Sequence, residues 1–201
     1  MKTLFASLLL CAALGSPQAG ALTIGQPTPD FALPDLQGKP QKLSDYAGKF
    51  VVLEWVNPDC PFVKKHYNSA NMPTLQKEAG AKNVVWLTIN STHPGHSEFK
   101  SPADMKSWLD AKNAAPKAML FDRDGGTGKA YGAKTTPHMY VVDPKGTLIY
   151  AGGIDDKRST NPDDIKTAKN FVRVALDEAL AGKPVSVATS VPYGCSIKYA
   201  N

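Results

Sequence analysis

The stretch FVVLEWVNPDCPFV, residues 50–63, changes character twice within fourteen residues. Phe50 to Val56 is a near-continuous apolar run of strand length, the pattern of a strand buried on both faces. Only Glu54 interrupts it. Asn57-Pro58-Asp59 then breaks the run, and Cys60-Pro61 follows, with proline in the position favoured at the first turn of a helix. A helix is therefore expected from Pro61, headed by Cys60 and carrying Phe62, Val63 and Tyr67, with a kink or restart at Asn71-Met72-Pro73 before Gly80.

Working outward, Leu22 to Lys49 is rich in Gly, Pro and polar residues and reads as an extended N-terminal hairpin. Val84 to Ile89 is a second buried strand, Ser101-Pro102-Ala103-Asp104 is a capped helix start, and Lys117 to Phe121 gives a short strand. His138 to Val142 and Thr147 to Ala151 flank Asp143-Pro144-Lys145-Gly146, a hairpin with clear turn chemistry. Asn161-Pro162-Asp163-Asp164 is expected to start one long final helix with Ile165, Ala168, Val172, Ala175, Leu176 and Ala179 on its apolar face, stopped by Gly182 and Pro184. Strands alternating with helices argue for an α/β sandwich around a central sheet.

The N-terminus bounds the compartment. Lys2, an apolar run from Leu4 to Leu14 and the small residues ending Ala19-Gly20-Ala21 have the form of a secretory signal peptide with an A-x-A cleavage site. Residues 1–21 are thus expected to be removed, leaving residues 22–201 as one domain with residues 183–201 as a C-terminal extension. The apolar run is too short to span a bilayer, and no stable membrane insertion is expected. Cys11 follows Leu10 rather than a small residue, which disfavours a lipoprotein signal. Cleavage leaves Cys60 and Cys195, an even pair in a compartment where disulfides persist. The expected location is outside the cytoplasmic membrane, periplasmic in a Gram-negative bacterium. The net charge of +5 is dispersed among acidic residues and suggests a solvated surface, with no nucleic-acid partner.

Three segments together resemble the thioredoxin superfamily, in particular its redoxin branch of peroxiredoxin-like proteins and exported thiol reductases. Gly25 to Leu33 with Leu43 to Lys49 is similar to the redoxin N-terminal hairpin. The core strand delivers Cys60 to a helix start, where the family keeps its reactive cysteine. Gly132-Ala133-Lys134-Thr135-Thr136-Pro137, followed by Met139 to Asp143, resembles the segment carrying the family's cis-proline. The resemblance implies a thioredoxin-like three-layer α/β/α sandwich with an N-terminal β-hairpin and a central mixed sheet. There are departures. Val63 stands where thioredoxins place the second cysteine of Cys-x-x-Cys and where peroxiredoxins place their peroxide-reducing cysteine, and Pro137 falls near the position of the peroxiredoxin arginine.

The resemblance implies a thiol-disulfide oxidoreductase without cofactor, acting on a thiol or disulfide of a protein or small molecule and served by an electron donor. Cys60 would attack, its sulfur turned toward the free amides of its helix, which favour thiolate. A buried structural thiol is the plainer alternative. Glu54 matches the buried acid that thioredoxins use as a proton shuttle; burial would raise its pKa, whereas a carboxylate at a strand edge would reach solvent. Thr136 and cis-Pro137 would hold the substrate backbone.

Cys195 is the remaining thiol after cleavage and would resolve a mixed disulfide at Cys60. It could instead form a permanent bridge worth about 5 kcal/mol, or stay free. Two further readings are a peroxiredoxin-like antioxidant peroxidase using a non-standard cysteine, and a non-catalytic binding or copper-handling module in which His138, Met139 and His66 join Cys60.

Overall fold

A computed structural model describes residues 22–200. The expected signal peptide, with Cys11, lies outside the described residues. The chain begins with a small hairpin, β1 (Ala32–Pro34) antiparallel to β2 (Pro40–Lys42), followed by a 3-10 turn over Leu43–Tyr46. The apolar run forms β3 (Val51–Trp55), every residue of which is buried. Helix α1 (Pro61–Asn68) starts where Cys60-Pro61 predicts, and the chain restarts as α2 (Asn71–Ala81) through Ala70, whose left-handed backbone (φ 59°) reorients the axis.

Strand β4 (Val85–Asn90) and helix α3 (Pro102–Ala111) follow. Ser101 accepts from the Asp104 amide while Asp104 reaches back to the Ser101 amide, a reciprocal cap. Then come β5 (Ala118–Phe121), a five-residue helix α4 (Gly126–Ala130), the two-residue β6 (Thr135–Thr136), β7 (His138–Val142), β8 (Leu148–Gly152), α5 (Phe171–Leu180) and the two-residue β9 (Cys195–Ser196).

The main sheet has the order β5-β4-β3-β7-β8. β3 runs parallel to β4 and antiparallel to β7, so the strand leading to Cys60 is central and the sheet is mixed. Alternation along β3 divides the core. Val52 and Val56 face the layer built from α1, α2, α3 and α5, with Val63, Met72, Leu75, Met105, Val172 and Leu176. Leu53 and Trp55 face the other layer, where Phe31, Leu43, Tyr131, Tyr140 and Leu148 pack. The three-layer α/β arrangement matches the expected class, although the second outer layer consists of the hairpin, short α4 and the end of the tail.

The expectation of one long final helix from Asn161 is corrected. Pro162–Lys166 is a 3-10 turn capped by Asn161, and the helix proper begins at Phe171, capped by the Asn170 side chain on the Arg173 amide. The Asp155–Asn170 bridge and the bond from the Phe171 amide to the Ile154 carbonyl fix that restart. Ile165 and Ala168 therefore lie outside the helical face. Helix α4 and strands β6 and β9 had no counterpart in the sequence reading.

Leu53 is fully buried on the face of β3 opposite the helices that carry Cys60. Leu53→Ala is expected to lower unfolding free energy by about 2–5 kcal/mol in urea titration.

Candidate functional site

Cys60 occupies the N-cap of α1 with extended backbone (φ −66°, ψ 123°) and is 2% exposed. The turn before it is tied locally. The Cys60 amide donates to the Asn57 carbonyl at 3.1 Å, and the Asp59 amide donates to Asn57 Oδ1 at 2.9 Å. Asn57 Nδ2 donates to Glu98 Oε2 at 2.7 Å, and Lys100 pairs with Asp59 at 2.7 Å, so the loop after β4 braces the turn.

The direction of the sulfur differs from expectation. Cys60 makes no side-chain cap to its own helix; its Sγ donates to the Thr136 carbonyl oxygen at 3.0 Å. An amide cap would require the sulfur to accept, whereas here the thiol donates a hydrogen bond to the nearby carbonyl. Thr136 and Pro137 are joined by a cis peptide bond. The sequence-selected Cys60, Thr136 and Pro137 thus meet at one point.

Cys195 meets them there. β9 pairs antiparallel with β6, Thr136 opposite Cys195 and Thr135 opposite Ser196, and the Ile197 amide donates to the Lys134 carbonyl at 3.1 Å. Both cysteines are free, and Cys195 packs against the core cluster containing Cys60. Burial, followed by the adjacent Cys60 sulfur, pushes the Cys195 thiol up to about 12, with Glu98 adding and Lys198 opposing. Cys195 therefore keeps its proton at neutral pH.

Glu54 is fully buried in the central strand rather than at an edge. Its Oε1 accepts from the Tyr67 hydroxyl at 2.8 Å, and its Oε2 accepts from Trp86 Nε1 at 2.8 Å, Gln76 Nε2 at 3.2 Å and Thr88 Oγ1 at 3.3 Å. Desolvation raises its pKa from 4.5 to about 7 against the pull of these four donors. Glu54 shares the sheet face of α1 and touches that helix through Tyr67. The hydrogen bonds it makes do not include Cys60.

The suggested histidine, methionine and cysteine metal set does not assemble. Successive residues of a strand point to opposite faces, so Met139 enters the Cys60 layer while His138 stacks on Tyr140, 4.6 Å between ring centroids. His138 Nδ1 accepts from the Lys134 amide at 3.2 Å. Among the described residues no group of three or more His, Cys, Asp or Glu side chains is placed to hold a metal ion.

His66 belongs to a network that sequence reasoning missed. Its Nε2 meets the Tyr193 hydroxyl at 3.2 Å and its Nδ1 meets Asn71 Nδ2 at 2.8 Å. The Tyr193 hydroxyl donates to Asp155, and Lys65 Nζ lies 3.9 Å from Asp155 and donates to the Lys157 carbonyl at 2.9 Å. Burial, reinforced by the Lys65 charge, lowers the His66 pKa to about 3, so its ring is neutral. The legible signal was Tyr193-Gly194-Cys195-Ser196-Ile197, in which alternate residues are the larger, less polar ones.

Fold and site together define a protein of thioredoxin-like architecture with a paired-thiol centre. The chain belongs to the AhpC/TSA family, whose model matches residues 24–151. It is 28% identical over 155 residues to the thiol-disulfide oxidoreductase ResA of Geobacillus thermodenitrificans, covering 70% of this chain and 79% of that protein. It is 30% identical over 135 residues to the thioredoxin-like protein YneN of Bacillus subtilis, covering 66% of this chain and 74% of that one. The crystal structure of an uncharacterized conserved protein from Geobacillus kaustophilus superposes with a TM-score of 0.77 at 29% identity, over 89% of this chain and 93% of that one.

The Glu54 carboxyl supplies a pH test. With its folded-state pKa raised to about 7, the fold retains a proton that the unfolded chain loses near 4.5, so its contribution weakens as pH rises through this window. His66 and His138, lowered to about 3 and about 4, act oppositely, weakening the fold as pH falls below 6.5. The difference between wild type and Glu54→Gln isolates the carboxyl. Relative to the variant, wild type should lose on the order of 3 kcal/mol between pH 4.5 and pH 7 in denaturant titrations. A flat difference would contradict the assignment.

Proposed function

We propose that this chain is an exported thiol-disulfide oxidoreductase in which Cys60 attacks and Cys195 resolves. The observation that carries the reading is the β6–β9 pairing, which seats Cys195 opposite Thr136, whose carbonyl holds the Cys60 thiol. A lone buried thiol would need no such partner. Two cysteines 135 positions apart come together at a helix N-cap. The ResA relatives carry the same activity in their names, which supports the reading.

The roles follow from the geometry. Cys60 heads α1 and is given the opening attack, while Cys195 is carried on the β9 tail, its thiol pushed up by burial, and acts second. The N-cap position places the positive end of the α1 dipole beside the sulfur once it loses its proton. Thr136 and Pro137 set the edge along which a substrate backbone aligns. Glu54, near neutrality in its pKa, is the proton reserve on this face of the sheet and communicates with α1 through Tyr67.

The pattern of residues 1–21 supports export of the domain of residues 22–201 across the cytoplasmic membrane, to the periplasm if the source is a Gram-negative bacterium. No helix of the described residues is long and apolar enough to cross a membrane. The partners are a thiol or disulfide of a protein or small-molecule substrate and an electron donor.

Thiol trapping tests the proposal. In Cys195→Ser a substrate disulfide should leave a mixed disulfide on Cys60 that persists, whereas wild type should end with Cys60 and Cys195 joined and Cys60→Ser should capture nothing. Trapping on Cys195 in the Cys60→Ser variant would reverse the roles. The exchange rate of wild type should also rise through an inflection near pH 7 that Glu54→Gln loses, with a rate at least about 100-fold lower. An unchanged pH–rate profile would remove Glu54 from the mechanism.

A further inference from the structure

The resting structure seats the chain's own tail on the edge beside Cys60, and three separate holds keep it there. The first is the ladder itself, Cys195 opposite Thr136 and Ser196 opposite Thr135. The second is a close approach of backbone. Gly194 adopts φ 140°, and a Cβ at that position would overlap the Thr136 carbonyl oxygen. The third is the clasp at Tyr193, whose hydroxyl donates to buried Asp155 and meets His66 Nε2 at 3.2 Å, while its ring packs edge-on against Phe62 at 5.7 Å. His66 and Phe62 both belong to the helix that Cys60 heads. With the tail seated, Cys60 is 2% exposed, too little for a protein disulfide to approach its sulfur.

The geometry of this edge is specific. It accepts an extended segment, pairs with its backbone, and brings the residue opposite Thr136 to Cys60. In the chain's own tail that residue is a cysteine.

We infer that the tail segment Tyr193–Ile197 occupies the proposed substrate edge at Lys134–Thr136 as a tethered mimic of an extended, cysteine-bearing protein segment, and that it must leave before such a segment binds. This rests on the reading of Cys60 as nucleophile. The tail undocks, and the substrate segment pairs with the vacated edge. Cys60 gives up its proton and its thiolate attacks one sulfur of the substrate disulfide; the S–S bond breaks, and the other substrate sulfur leaves as thiolate and takes up the proton that Cys60 released. When the tail returns, Cys195 gives up its proton and its sulfur attacks that of Cys60. The mixed disulfide breaks, Cys60–Cys195 forms, and the second substrate thiol departs. The substrate disulfide has gained two electrons and the chain's dithiol has lost two, to be restored by a dithiol donor. Because Cys195 resolves from the register the substrate held, resolution and product release become one event. Tethering makes the tail's return intramolecular, so it does not depend on the concentration of a second thiol.

Gly194→Ala and Tyr193→Phe loosen the tail and leave Cys60, Cys195 and Glu54 unsubstituted. The probe is a short synthetic peptide with one cysteine, carried as a mixed disulfide with thionitrobenzoate, whose release is coloured. With the reduced full chain, release by wild type should reach a ceiling as peptide concentration rises, because docking waits for the tail. Each variant should raise that ceiling about tenfold and slow closure of Cys60–Cys195 by a similar factor. Variants that melt like wild type yet release no faster would overturn the inference while leaving the nucleophile intact. So would a wild-type rate that climbs in proportion to peptide without a ceiling, a result that needs no variant to fold. Absence of release from every protein would remove the nucleophile itself and the inference with it.

Discussion

The site depends on the Thr136 carbonyl oxygen. It accepts the hydrogen bond from the Cys60 thiol, it immediately precedes the cis bond to Pro137, and its residue lies opposite Cys195 in the β6–β9 pair. A backbone acceptor cannot rotate away as a side chain can, so its position is set by β7 behind it and the core beneath. Residues from three distant parts of the chain are held in common register by this one group. The Gly194 backbone approaches it so closely that only glycine fits, which shows how tightly the tail is laid against it.

Two buried polar networks support this junction, and they differ in character. Around Glu54, four neutral donors converge on one carboxyl, and desolvation still outweighs them, leaving a group that changes charge near neutral pH. Around Asp155, the Tyr193 hydroxyl and the Lys157 amide donate to one carboxylate oxygen, while the other has no hydrogen-bond partner among the described residues and faces Lys65 and His66 at 3.9 Å. The first network sits within the sheet and the helix beside it. The second spans α1, the loop after β8 and the tail, so breaking it leaves buried polar groups unpaired, a costly state that favours the seated tail.

The absence of a second cysteine at Val63 shapes the whole C-terminal third. Val63, one turn into α1, is a buried valine, and the thiol that comes to lie beside Cys60 is carried on the chain that runs beyond α5 along the edge of β8. Ala188 and Ser190 bond to Ala151, Ser190 Oγ accepts from the Gly153 amide, and Tyr199 bonds to the Ala133 carbonyl on the far side of the site. Contacts spread along residues 183–200 thus hold Cys195 beside Cys60.

The sequence by itself determined the elements whose signals are local. The apolar run Val51–Trp55, Pro61 at a helix start, the Ser101–Asp104 cap and the Asp143–Gly146 turn each carry their structural consequence within a few residues, because periodicity, caps and turns act over that range. They sufficed for an α/β sandwich around a central sheet and for marking Cys60 at a helix start and Glu54 inside an apolar strand; the thioredoxin-like class and the roles of both residues came with the family resemblance. What only the tertiary structure decided are the long-range matters: that Glu54 is fully enclosed, that His138 and Met139 part to opposite faces, that the Cys60 thiol turns to Thr136 instead of its own helix, and that the final helix waits until Asn170. The two-residue strands β6 and β9 were beyond the reach of sequence reasoning for the same reason. Neither has enough residues to declare itself, and each exists because the rest of the fold brings the other to it.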